Sequence, residues 1–165
     1  MQLDAEFWKN RKVLITGHTG FKGSWLTLAL HELGANVLGV GLNMLDDHDL
    51  SNQIDLSNFA TDVRLDITNF GELEKIFLNF KPEIVFHLAA QAIVVTGYEQ
   101  PLNNFNSNIM GTVNILECIR NTPSVMSGII VTTDKVYKNE GKGIPFKESD
   151  TLGSDDPYSA SKAAC

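Results

Sequence analysis

The chain is poor in cysteine, in positive charge and in long apolar runs. Its two cysteines, Cys118 and Cys165, form no metal-ligand spacing. They read as reduced thiols of a cytoplasmic protein. Thirteen Lys and Arg face twenty Asp and Glu, for a net charge of −7. That balance argues against a nucleic-acid or anionic-membrane surface, yet leaves room for a small phosphorylated ligand held by local dipoles. No apolar stretch approaches the roughly 18 residues of a membrane span, and no basic start leads into an apolar core as in a signal peptide. Internal repeats and low-complexity segments are also missing. At 165 residues, with 43% hydrophobic and 20% charged residues, the chain suits one soluble domain with a real core.

The rest is organised around Val13-Leu14-Ile15-Thr16-Gly17-His18-Thr19-Gly20-Phe21-Lys22-Gly23. An apolar run, read as a buried strand, stops at a glycine, and a helical pattern follows at once. Glycines at 17, 20 and 23 allow a sharp turn, bare backbone for a ligand, and close helix–strand packing. The first N–H groups of the helix lack partners and the dipole is positive there, so a pyrophosphate fits. Trp25, Leu26, Leu28, Ala29, Leu30 and Leu33 are expected to form the helix's apolar stripe, with Gly34 as its C-terminal glycine. Phe7 and Trp8 are expected to cover the edge of the sheet.

Further strands are expected over 36–40, 63–65, 84–88 and 128–132, with helices from Asp66-Ile67-Thr68-Asn69 through Phe80, over 103–120, and from Pro157 after Asp156 as N-cap. Residues 43–61 and 138–156 read as surface loops. Strands alternating with helices imply an α/β, doubly wound parallel sheet, Rossmann-like, in the order 3-2-1-4-5. The last helix is cut after about two turns, so residues 1–165 are expected to be an incomplete dinucleotide-binding domain, with the later strands and a C-terminal substrate domain lying beyond.

Ligands of such sheets bind at the carboxyl ends of the strands. There stand Asp66 and Ile67, suited either to an adenine or to a plain helix start. Next come His87, read as a satisfied buried histidine, and Leu88-Ala89-Ala90, small enough to let a flat cofactor pass. Thr132-Thr133-Asp134-Lys135 follows the fifth strand. Tyr158 and Lys162 lie four apart on one helix face. An ammonium beside the phenol is expected to lower its pKa from about 10, making a base useful near neutral pH.

Residues 16–23 match T-G-x-x-G-F-x-G, and with Tyr158-x-x-x-Lys162 the chain resembles the extended short-chain dehydrogenases/reductases. Asn108, within Asn-Ile-Met-Gly-Thr-Val, and Thr133 resemble that family's remaining proton-relay residues. His18, Lys22 and Thr133-Asp134-Lys135-Val136-Tyr137, with Phe86-His87-Leu88-Ala89-Ala90-Gln91, narrow the resemblance to CDP-glucose 4,6-dehydratases, across essentially the whole chain. The resemblance implies NAD bound by Gly17, Thr19, Gly20, Phe21, Lys22, Gly23, Asp66, Ile67, Leu88, Ala89, Ala90, Tyr158 and Lys162. It implies catalysis by Thr133, Asp134, Lys135, Tyr158, Lys162 and Asn108 on the nucleotide sugar CDP-glucose, and a homodimer built through the helices at 103–120 and from 157. Two departures stand out. Val95 and Gly97 occupy positions where the family often has Arg and Ser. Gly41, Leu42 and Asn43 offer neither the acid that holds ribose hydroxyls nor an Arg for a 2′-phosphate.

Overall fold

The computed structural model describes residues 4–42, 53–141, 143–153 and 155–165. Five parallel strands form one sheet in the order β3-β2-β1-β4-β5. They are β1 (Lys12–Thr16), β2 (Asn36–Gly41), β3 (Thr61–Arg64), β4 (Ile84–His87) and β5 (Ser127–Ile130). The expected order therefore holds, with strand ends displaced by at most two residues. Helices α1 (Ala5–Trp8), α2 (Phe21–Glu32), α3 (Phe70–Phe80), α4 (Val94–Glu99), α5 (Pro101–Phe105), α6 (Gly111–Arg120) and α7 (Pro157–Ala164) surround the sheet.

Alternation along each strand feeds two cores. Leu14, Leu38, Val40 and Val85 meet Leu73 and Phe77 of α3 and Ile115 and Cys118 of α6. Val13, Ile15, Val37 and Ile84 meet Leu30 of α2 on the other face. Trp8 joins this second cluster and lies 6.4 Å from Phe86 of the inner strand β4, so it covers a face of the sheet and not its edge.

The apolar stripe expected on α2 is buried only in part: Leu30 joins the core and Leu26 packs against it, but the rest of the buried face is small. Gly23, Ser24, Thr27 and Leu30 face the sheet, while Trp25 is exposed. Small side chains are needed there because the helix lies almost on the backbone of the turn before it: a Cβ at Gly23 would fall 2.0 Å from the Gly17 carbonyl oxygen. Gly34 ends the helix at φ +82°, as its sequence position suggests.

The helix expected over 103–120 is not uniform. Between α5 and α6 lies a π-helical turn, Asn106–Met110. Part of the loop expected at 43–61 lies outside the described residues. In the remainder, a 3₁₀ turn, Leu56–Asn58, buries Leu56.

Candidate active site

The glycine turn sits as its sequence suggests. Gly17 adopts φ +71°, and its N–H donates to the Val40 carbonyl of β2 at 2.7 Å. A Cβ at Gly17 would meet the Ala89 nitrogen at 2.7 Å, so the turn and the segment after β4 touch through bare backbone. Gly20 is the N-cap of α2, and no side chain caps that end. The free N–H groups and positive dipole end therefore face outward beside Phe21 and Lys22, both exposed. Thr19 is buried, and its hydroxyl donates to the Leu42 carbonyl at 3.0 Å, so it fixes the turn from behind.

At the end of β2 no acid stands, but an arginine does arrive from β3. Arg64 Nη1 donates to the Leu42 carbonyl at 3.1 Å, while its Nη2 grips Asp62 Oδ2 at 2.6 Å. Asp62 Oδ1 in turn pairs with His18 Nε2 at 2.9 Å, and the His18 ring is fully buried beneath Gly39. This His18–Asp62–Arg64 row is invisible to local sequence reading, because its His18–Asp62 link joins residues 44 positions apart.

Asp66 is neither a helix cap nor buried. Its Oδ1 accepts from the backbone and hydroxyl of Thr68 at 2.9 and 2.8 Å, and Asn69 caps α3 instead. Ile67 is buried against Gly111, and its carbonyl accepts from Asn114 Nδ2. Leu88 and Ala89 pack partly into the two cores, and Ala90 is exposed at the mouth.

The residues after β5 meet the start of α7. Asp156 caps α7 by accepting the Ser159 N–H at 2.9 Å. Burial opposes ionisation of its carboxyl, but hydrogen bonds from Ser159 and the nearby Lys135 hold it below the usual range. Thr133 Oγ1 donates to Asp134 Oδ1 at 3.1 Å and is close enough to the Tyr158 phenol to influence its ionisation. Asp134 and Lys135 are exposed. Lys162 is 4% exposed, and its Nζ donates to the Val131 carbonyl at 2.9 Å. The ammonium is thus anchored to the end of β5 on the Tyr158 face of α7.

The phenol does not shift as the sequence suggests. Burial raises the Tyr158 pKa above its ordinary value; the Thr133 hydrogen bond opposes this, and Asp134, Asp156 and Cys165 add to it. Burial is the leading cause, and the Lys162 Nζ is directed at the Val131 carbonyl. Desolvation also lowers the pKa of Lys162 itself.

Asn108 is buried in the π-helical turn with its carboxamide engaged on both sides. Oδ1 accepts the Gln91 N–H at 2.8 Å, while Nδ2 donates to the Gln91 carbonyl at 3.1 Å and to Ser161 Oγ at 2.8 Å. It ties the segment after β4 to helix α7. Asn104, one turn earlier, donates to Gln91 Oε1 and fills the space beside Gly97. Asn104 belongs to no motif, and Gln91, which closes the Phe86–Gln91 stretch, carries no sequence signal for this particular role.

Residues 14–165 match the family model described as GDP-mannose 4,6 dehydratase. The chain belongs to that family. It is 41% identical over 97% of its length to a CDP-glucose 4,6-dehydratase of Salmonella typhimurium, covering 45% of that protein. It is 35% identical over 90% of its length to a UDP-glucuronate 4-epimerase of Thermodesulfobacterium geofontis, covering 47% of it. Among solved structures it is similar to the epimerase Mth375 of Methanothermobacter thermautotrophicus, with a TM-score of 0.84 and 27% identity over 97% of this chain and 46% of that one. A UDP-glucose 4-epimerase of Thermus thermophilus in complex with NAD gives a TM-score of 0.79 and 30% identity, over 92% of this chain and 47% of the other. The chain thus spans a little under half the length of these relatives. Among the described residues, no helix is long and apolar enough to cross a membrane, and no three His, Cys, Asp or Glu could together hold a metal ion.

Proposed function

We propose that this chain supplies the NAD site and the catalytic residues of a cytoplasmic lyase, a nucleotide-sugar 4,6-dehydratase that converts CDP-glucose to CDP-4-keto-6-deoxyglucose. The observation that carries the reading is the placement of Thr133, Tyr158 and Lys162 at the strand ends that also hold the open glycine turn, with Asp134 next to Thr133. The uncapped end of α2 and the bare backbone at Gly17 and Gly20 fit a pyrophosphate, and the small residues Ala89 and Ala90 fit a flat ring. Asp66 and Ile67 stand at the end of β3 toward the adenine side. NAD, when bound, supplies a hydride acceptor that later returns the hydride to the sugar.

Tyr158 takes the proton of the sugar 4-hydroxyl as C4 is oxidised, with Thr133 holding the phenol in line. Lys162, fixed on Val131, sets a positive charge on the same helix face. The 4-ketone acidifies H5. Lys135 is placed as the base that removes it or as that base's partner, and Asp134 protonates the departing 6-hydroxyl. Asn108 braces the helix that carries the pair.

A second reading, a nucleotide-sugar epimerase or reductase, is favoured by the epimerases among the similar structures. One experiment separates the two. The protein that carries this chain, at its full natural length, is incubated with CDP-glucose, and the 4-keto product is followed by absorbance in alkali. We expect product from the wild type, and a loss of about 10²–10⁴-fold in Asp134→Asn, the span typical of a removed general acid. Turnover of a different nucleotide sugar only, or full activity in Asp134→Asn, defeats the dehydratase reading. A third reading is a chain that binds the cofactor without catalysis, and calorimetric titration with NAD in the absence of any turnover would mark it.

We assign the homodimer to the helices at 103–120 and from 157, where Val113 and Leu116 are exposed. Sedimentation of the same protein should show a dimer that Leu116→Glu dissociates; a monomer at all concentrations would remove this placement.

A further inference from the structure

His87 ends β4 with 1% of its surface exposed, paired in register with Thr16 of β1. Its two ring nitrogens touch two threonines. Nδ1 lies 2.6 Å from Thr16 Oγ1, and Nε2 lies 2.9 Å from Thr112 Oγ1. The hydroxyls decide which nitrogen carries the hydrogen. Thr112 has one proton and two acceptors in reach, the Asn108 carbonyl at 2.6 Å and the weaker Cys165 Sγ at 3.4 Å; the short bond to the carbonyl takes it, and either acceptor leaves none for His87. Its oxygen must therefore receive from His87, so Nε2 is the N–H. Nδ1 is then an acceptor and takes the single proton of Thr16. The Thr16 oxygen in turn receives the Ala89 N–H at 3.2 Å. Every hydrogen in this row points the same way, from Ala89 through Thr16, His87 and Thr112 to Asn108.

The two ends of the row matter. Ala89 stands against Gly17 in the turn that would cradle the cofactor. Asn108 sits in the π-helical turn and holds Gln91 and Ser161. We propose that His87 is a positioning residue, which as a neutral Nε2–H tautomer fixes the cofactor-facing backbone at Gly17 and Ala89 relative to the Asn108 brace of the catalytic helix. A second proton on the ring would set Nδ1–H against the Thr16 hydroxyl and force that hydroxyl to turn away. The surroundings oppose such a proton: burial first and the Lys162 charge second hold the His87 pKa down, at about 4. Thr16, His87 and Thr112 form no hydrogen bond to Tyr158 or Lys162, so their effect travels through the backbone they hold. The consequence for cofactor affinity rests on the NAD reading above; the geometry of the row does not.

The test uses Thr112→Val, which keeps side-chain shape but removes the acceptor of the His87 N–H, with Thr112→Ser as the restoring variant. Imidazole nitrogen NMR of the wild type should show one neutral Nε2–H tautomer from about pH 5 to 8, the interval in which an ordinary histidine titrates. In Thr112→Val the Ala89 amide resonance should move although residue 112 does not touch it, and Thr112→Ser should bring it back. NAD affinity, read by calorimetry, should fall about tenfold in Thr112→Val and recover in Thr112→Ser, in line with the loss of one buried hydrogen-bond partner. An imidazolium or an Nδ1–H tautomer in the wild type overturns the proposal, and so does an unmoved Ala89 amide in a folded Thr112→Val. If Thr112→Val does not fold, the wild-type tautomer and the Thr112→Ser spectrum decide. Wild-type protein that shows the expected tautomer but binds no NAD would tell against the cofactor reading and leave the row intact.

Discussion

In the proposed dehydratase reaction, replacing Tyr158 by Phe is expected to lower turnover of CDP-glucose by about 10²–10⁴-fold while leaving the fold in place, because the change removes only the oxygen assigned to proton transfer. The phenol is half-buried, and the ring that packs against its surroundings survives in Phe. The pH profile gives the same result a second signature. Burial first, then Asp134, Asp156 and Cys165, hold the phenol above its ordinary pKa against the Thr133 hydrogen bond. The reaction needs the deprotonated form. The kcat/KM of the wild type should therefore climb as pH rises toward that raised value, and the residual rate of Tyr158→Phe should not. A loss of less than tenfold, or an unchanged alkaline climb in the variant, would remove Tyr158 from the role of base.

The second large effect is on stability. Gly23→Ala places a methyl group 2.0 Å from the Gly17 carbonyl oxygen, with Gly17 carbon and His18 Cα at 2.7 Å. All three are backbone atoms, which no rotamer change can move aside. Overpacking of this kind costs about 3 kcal/mol or more. For a domain of this size that lowers Tm by roughly 6–12 °C. Gly20→Ala is the control, since its nearest contact would be an ordinary 3.4 Å to the Gly17 oxygen, with φ −76°. It should melt with the wild type yet bind NAD more weakly, because its methyl stands where bare backbone faces the pyrophosphate. Thermal melts by circular dichroism and calorimetric titrations read both. A Gly23→Ala variant that melts with the wild type would mean that α2 can lift off the turn freely.

These two glycines show what is legible in the sequence. The turn is written in three residues at fixed spacing, and the strands in apolar runs such as Val13-Leu14-Ile15. Both signals are local, so order and site location follow from them. The stripe of α2 misleads because Trp25 and Leu28 are apolar, whereas the buried face is chosen by closeness and takes Gly23, Ser24 and Thr27. Helix α4 has no clear signal because Val94-Val95-Thr96-Gly97 combines β-branched residues with glycine, all weak helix formers, and it is held by packing against α5 and α7. The pKa direction of Tyr158 is hidden for another reason. Lys162 does share its helix face, but which group its Nζ meets depends on where β5 ends.

The π-helical turn at Asn106–Met110 follows the same lesson. A wider turn spends one more residue than an α-turn does to advance along the axis. Everything downstream is thereby rotated by about 100° relative to an uninterrupted helix. In the phase actually adopted, Asn104, Asn108, Thr112 and Ile115 all face inward, and Val113 and Leu116 face out. Deleting one residue between 106 and 110 would yield a more regular helix whose inward face had changed identity. Thr112 would swing away from His87, and the apolar pair at 113 and 116 would leave the surface they now present. The extra residue works as a phase setter, deciding at one point in the chain both what α7 is braced by and which apolar side chains the outside of the molecule presents.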